Sequence, residues 1–180
     1  MNLDDITPEW IGTILGREVG EITLERVGTG QIGTCFRVRI DGSGTVLVKL
    51  PPPDTSARDM MAGAYRGEVR FYQLLAPTVA IRTPDCFHAE IAEESGDFVI
   101  VLEDLAPREQ GDQIAGCTGD QARDAVVNLA GLHGPRWCDP TLAEVDTLSV
   151  NGPMARNVED LALLLSRAEA HAEARSRARD

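Results

Sequence analysis

The chain has 180 residues, enough for one ordinary domain or two small lobes with a buried core. Hydrophobic residues make up 43% and charged residues 26%, which excludes a disordered chain, and the net charge of −12 disfavours nucleic acid or an anionic membrane as partner. The longest apolar runs, Phe98 to Leu102 and Leu161 to Leu165, fall far short of the ~20 residues that span a bilayer.

In chain order, Thr7-Pro8-Glu9 reads as an N-cap, a first-turn proline and an early acid, opening a helix that runs to about Leu15. A strand is predicted over 22–27, then the glycine segment Gly28-Thr29-Gly30-Gln31-Ile32-Gly33. Phe36, Val38 and Ile40 alternate with Arg37 and Arg39 as a half-buried strand. Asp41-Gly42-Ser43-Gly44 is a hairpin turn, 45–50 is the next strand, and Pro51-Pro52-Pro53 ends it because proline donates no ladder hydrogen bond. A helix is predicted over about 58–75, with Met61, Ala64, Tyr65, Glu68, Phe71, Tyr72 and Leu75 on one face. Strands are predicted over 85–92 and 98–102, joined by a turn at Glu94-Ser95-Gly96-Asp97. Residues 103–116 are polar and rich in Gly, Pro and Asp, a linker. A helix over about 119–133 stops at Gly134-Pro135, and an amphipathic stretch spans about 158–174 through Leu161, Leu164, Leu165, Ala168 and Ala172. The order is helix, five strands with one helix inserted after the third, linker, helices: an α+β chain whose first ~100 residues form an antiparallel sheet with one packed helix.

Three features point to chemistry. Lys49 is the single lysine against sixteen arginines, and it stands at the end of an apolar strand. A compact ammonium on a flexible stem is not replaced by a planar guanidinium where space is tight, although a lone lysine must also fall somewhere by chance. The glycine segment matches G-x-G-x-x-G, but the residues after Gly33 alternate as a strand. The Rossmann fingerprint, which needs a helix there, is therefore excluded, and no Gly-Lys-Ser/Thr of a Walker loop occurs. A glycine hairpin can fold over phosphates because its amides approach the oxygens with no Cβ in the way; an ordinary flexible hairpin is the other reading. Glu68 falls on the apolar stripe of its helix, where an unpaired carboxylate carries a desolvation cost on the order of several kcal/mol, so it calls for a cation. Lys49 answers that need, unless Glu68 reaches water at the stripe's edge or pairs with Arg66 or Arg70.

Taken together, Val27 to Glu103 resembles the small lobe of a protein-kinase-like fold, in particular the aminoglycoside phosphotransferase and choline/ecdysteroid-kinase-like family. The resemblance implies that Gly28, Gly30 and Gly33 cover ATP phosphates, that Lys49 holds the α- and β-phosphates and that Glu68 braces Lys49. Glu68-Val69-Arg70-Phe71-Tyr72-Gln73-Leu74-Leu75 is similar to the family's helix. Val99 to Leu105 is similar to its hinge, whose backbone near Glu103 and Leu105 would pair with adenine. Leu132-His133-Gly134 with Trp137 beyond it resembles the segment closing the first long helix after the hinge. The implied organisation is a nucleotide-binding lobe over 1–102, a hinge over 103–117 and the helical start of a second lobe over 118–180.

The family's catalytic loop, H-x-D-x-x-x-x-N, has no match. Pro135 and Pro140 stand where His133 would require Asp and Asn, and His171 is succeeded by Ala172 and Glu173. The expectation is a truncated ATP-dependent small-molecule kinase, inactive alone. Mg²⁺ is held only when the missing lobe is supplied, the hydroxyl acceptor is unspecified, and self-association or pairing with a separately encoded C-terminal lobe is possible. The alternative is a non-catalytic nucleotide-binding or interaction module of the same fold. A plain β-hairpin domain without a nucleotide site is the third reading. Cysteines 35, 86, 117 and 138 form no C-x-x-C pair, the histidines (88, 133, 171) are not spaced for zinc, and Met1 to Asp5 has no signal-peptide character. A cytoplasmic protein with reduced thiols is the natural expectation.

Overall fold

A computed structural model describes residues 2–28, 33–92, 95–108 and 114–140. The stretch at 158–174, Gly30, Glu94 and the middle of the linker lie outside the described residues.

Helix α1 (Pro8–Leu15) begins where expected: the Thr7 hydroxyl accepts from the Trp10 amide at 3.2 Å, and Gly16 (φ 64) closes it in the left-handed region. Strands β1 (Ile22–Val27), β2 (Thr34–Ile40) and β3 (Gly44–Leu50) form a meander. Its β2–β3 turn places Asp41 and Gly42 at φ 48 and 67. The Asp41 carboxylate accepts the amides of Gly20 and Glu21, pinning that turn to the approach of β1.

Helix α2 (Thr55–Arg70) starts three residues earlier than predicted because Asp54 caps it, accepting the Ser56 amide at 2.9 Å. It runs on through a π turn (Phe71–Leu75) and a 3₁₀ turn (Ala76–Thr78) containing Pro77, which ends the helical run. Strands β4 (Cys86–Ile91) and β5 (Phe98–Glu103) complete a five-stranded antiparallel sheet in the order β1-β2-β3-β5-β4. β5 reaches one residue beyond the predicted strand, because the Glu103 amide donates to the Asp85 carbonyl at 2.8 Å.

The sheet buries both faces. Ile6, Ile11, Val38, Ile40, Val46, Val48, Leu50, Val99 and Val101 form one core beneath α1. Tyr65, Val69, Phe98 and Ile100 form the other, beneath α2. Side chains alternate across a strand, so β5 sends Val99 and Val101 one way and Phe98 and Ile100 the other. On α2 the buried column is Tyr65 and Val69 with Met61 and Tyr72 beside it. Ala64, placed in the stripe by spacing alone, is exposed, and Glu68 sits at the stripe's edge, half-buried. The helix has turned by about one residue relative to the sequence stripe, so that Val69 and not Glu68 meets Ile100.

Helix α3 (Gly119–His133) opens with a capping box between Thr118 and Gln121. Gly134 is right-handed at φ −57, so α3 stops at Pro135 rather than through a left-handed glycine. The helix docks on the segment after α2: the Ala80 amide donates to the Gly131 carbonyl at 2.8 Å and the Arg82 amide to Asn128 Oδ1 at 2.9 Å. No helix among the described residues is long and apolar enough to cross a membrane.

Candidate functional site

Lys49 is the penultimate residue of β3. Its neighbours Val48 and Leu50 point into the α1-side core, so Lys49 points to the other face, over which α2 lies. Its cross-strand partners are Cys35 on β2 and Ile100 on β5. The ammonium Nζ lies 2.7 Å from Glu68 Oε1 and 2.5 Å from Oε2, with the two side chains 21% and 30% exposed. At that exposure the pair is shielded enough to be a charge-assisted bond, while the lysine side chain keeps part of its surface in contact with solvent.

Gly33, at the entry to β2, lies against the stem of that lysine. A Cβ there would sit 3.1 Å from Lys49 Cε and 3.2 Å from the Leu50 carbonyl oxygen, tighter than most real Cβ contacts, so any larger residue would push the lysine stem or the strand aside by a few tenths of an ångström. Gly28, at the other end of the β1–β2 connection, has φ +76, a conformation side-chain-bearing residues rarely adopt. The segment after Gly33 is a strand, as the alternation predicts, and not the helix of a dinucleotide fold. Opposite Lys49, burial pushes the Cys35 thiol up from its usual range, against the pull of the ammonium, so the thiol stays protonated. It provides an apolar floor beside Lys49 and is not a poised nucleophile. One helical turn on from Glu68, burial first and that carboxylate second push the Tyr72 phenol up to about 12.

Glu103 lies further along the β3–β5 ladder, and Leu105 follows two residues beyond the end of β5: Lys49 faces Ile100 and Glu103, three rungs on, faces Val46. At ~3.4 Å per residue that is a spacing of about 10 Å from Lys49. The Glu103 side chain turns to the edge strand, where it accepts the Asp85 amide at 3.3 Å. The Leu105 carbonyl accepts the Arg108 amide at 3.0 Å, closing a turn over residues 105–108. Of the seven expected positions, six are described; Gly33 and Glu68 each meet Lys49, Gly28 stands at the far end of the same connection, and Glu103, at the end of β5, and Leu105, just beyond it, stand apart. Gly30 lies outside the described residues.

Sequence reasoning missed an ion pair. Arg37, read only as the polar half of an alternating strand, donates from Nε to Asp104 Oδ2 at 2.6 Å and from Nη2 to Oδ1 at 3.2 Å. Asp104, read as linker, is held below the usual carboxylate range first by these bonds, with the Ala106 amide and the Thr45 hydroxyl adding to them against the cost of burial. No local signal joins residues 67 positions apart; the only hint is an acid placed directly after a buried strand. Among the described residues no cluster of three His, Cys, Asp or Glu side chains is placed to hold a metal ion.

No family model and no curated protein matches the chain. Among solved structures it is similar to a protein of Haemophilus somnus 129PT assigned as a fructosamine-3-kinase (17% identity, TM-score 0.42, covering 69% of this chain and 36% of that one). A second protein so assigned, from Thermobifida fusca YX-ER1, matches at 20% identity and a TM-score of 0.44, covering 71% of this chain and 38% of that one. The GDP complex of wild-type aminoglycoside 2'-phosphotransferase-IIIa matches at 17% identity and a TM-score of 0.48, covering 93% of this chain and 51% of that one. The chain thus spans between about a third and about half of the length of these structures. The sheet order β1-β2-β3-β5-β4, the helix inserted after β3 and the lysine–glutamate pair between them are the arrangement that the resemblance read from the sequence leads one to expect.

Proposed function

We propose that residues 1–102 are a nucleotide-binding lobe, 103–117 a hinge and 118–180 the start of a second lobe, and that the chain binds ATP as part of a small-molecule phosphotransferase. The observation that supports this most directly is the Lys49 ammonium held by both Glu68 oxygens beneath Gly33. In this reading Lys49 turns its open side to α- and β-phosphate oxygens, and Glu68 keeps the ammonium extended into the cleft. Gly28, Gly30 and Gly33 let backbone amides reach the phosphates without a Cβ between. The backbone of Glu103, about 10 Å along the sheet, and of Leu105 just beyond the strand meets the edge of the base. ATP brings the phosphoryl group that is to be transferred.

The acceptor hydroxyl, the general base and the Mg²⁺ ligands belong to a lobe with an H-x-D-x-x-x-x-N segment and a later aspartate, a pattern these 180 residues do not contain. Transfer therefore requires that those groups be supplied together with this lobe. That same sequence fact favours a second reading, a non-catalytic nucleotide-binding or interaction module, which needs nothing more than the glycine loop and the braced lysine.

Calorimetric titration with ATP, with GTP alongside, tests the shared part of both readings. Removing two charge-assisted bonds to phosphate should weaken ATP binding roughly 10- to 100-fold in Lys49→Ala. Equal affinity in the variant and the parent chain would exclude the nucleotide site. Phosphate transfer to a hydroxyl substrate on addition of a separately produced lobe carrying the missing motifs distinguishes the enzyme from the binding module.

A further inference from the structure

Asp104 is the first residue after β5, and only 2% of its side chain is exposed. Its carboxylate takes a two-pronged pair of bonds from Arg37 on β2, a bond from the Thr45 hydroxyl on β3, and the amide of Ala106 at 3.1 Å. One buried acid thereby ties together two neighbouring strands and the chain that leaves a third. The residues on either side of it are Glu103 and Leu105, whose backbone the functional reading assigns to the base. Arg37 faces Leu47 across the β2–β3 ladder as Cys35 faces Lys49, so Arg37 lies on the same face of the sheet as Lys49.

We propose that Arg37 and Asp104 are positioning residues that fix the Glu103–Leu105 backbone, and so set affinity for the base of the nucleotide separately from affinity for its phosphates. This rests on the nucleotide-binding reading above. Backbone groups recognise the flat edge of a base only when they lie in its plane at hydrogen-bonding distance, and a chain leaving a strand is free to rotate unless something holds it. The Asp104 side chain bonded to the amide two residues on makes a fixed turn, and the planar fork of Arg37 sets the plane of that carboxylate. An exposed ion pair would contribute little, but this acid is enclosed and its oxygens are shared among three partners. A lysine could not replace the fork, since a single ammonium leaves the carboxylate free to turn.

The test uses the full chain and two ligands, ATP and inorganic tripolyphosphate, titrated into the parent, Arg37→Met, Asp104→Asn and Lys49→Ala. Arg37→Met should weaken ATP about tenfold while tripolyphosphate stays within about twofold, whereas Lys49→Ala weakens both. Asp104→Asn keeps the side-chain shape and its bond to Ala106, and it should show the same split if Arg37→Met fails to fold. An Arg37→Met chain that melts cooperatively like the parent and loses both ligands equally, or neither, overturns the positioning role while leaving nucleotide binding intact. So does an Asp104→Asn chain that melts like the parent and shows no split. A parent chain that binds neither ligand overturns the nucleotide reading itself, and the positioning role with it.

Discussion

Lys49 and Glu68 are 19 positions apart, and each is ambiguous by itself. Their pairing was legible because the chain has one lysine to offer and because a carboxylate near an apolar helix face must find a cation. Gly33 was legible as part of a loop but not as a contact: its closeness to the Lys49 stem depends on how far the β2–β3 ladder slides, which no local rule sets. Arg37 and Asp104 were not legible, since alternation says only that Arg37 leaves the α1-side core and not what it meets. Asp104 has a consequence for acid stability. Its folded pKa lies below the ordinary 3.8, so the unfolded chain binds its proton first as pH falls. The stabilisation is complete above the unfolded pKa and is lost as pH drops through the folded one. Melting temperatures between about pH 6 and pH 2 should therefore fall more steeply for the parent than for Asp104→Asn. Parallel curves would show that the Arg37 fork contributes nothing to the fold.

Elements followed their local signals closely where capping and turn residues set them. Thr7 and Thr118 start α1 and α3, Asp41-Gly42 turns β2 into β3, and three prolines stop β3 at Leu50. Displacements arose where a cap lay outside the predicted bounds and where packing decided. Helix α2 starts at its Asp54 cap, reinforced when Arg58 reaches the Pro52 carbonyl at 2.7 Å and Asp97 at 2.5 Å across the β4–β5 turn. Its rotation places Val69 in the core and moves Glu68 to the rim where Lys49 can reach it. Gly131 of α3 offers a decisive test of docking between elements. A Cβ there would lie 2.7 Å from both the carbonyl carbon and the oxygen of Ala80, backbone atoms that cannot swing aside. In an uncrowded helix Gly→Ala stabilises by roughly 0.5–1 kcal/mol. At a packed contact the overlap costs about 1–3 kcal/mol instead. Gly131→Ala should therefore lower the melting temperature and raise amide exchange at Ala80 and Arg82; a rise in melting temperature would mean that α3 does not pack there.

At the scale of the molecule, one sheet serves two cores, and only the α2-side core borders the lysine. Ile100 is fully buried opposite Lys49, and Val48 is fully buried on the other face. Truncating either to alanine should cost about 2 kcal/mol or more by lost burial and the cavity left behind. On the proposed nucleotide-binding reading only Ile100→Ala should also weaken ATP, because Ile100 lies across the ladder from Lys49 and Val48 faces the other core; matched losses of affinity in both variants would show that the two faces are not separable. The amino-acid order by itself determined the element sequence, the meander, the exclusion of a dinucleotide fold, and one lysine in search of one carboxylate, because periodicity, caps and turn residues act within a few positions of each other. Tertiary structure alone decided the order β3-β5-β4, the rotation of α2, the nearness of Gly33 to Lys49 and the fork from Arg37 to Asp104. Those depend on register and on which surfaces meet, and such long-range choices are settled by burying both faces of a sheet at once rather than by any short stretch of residues.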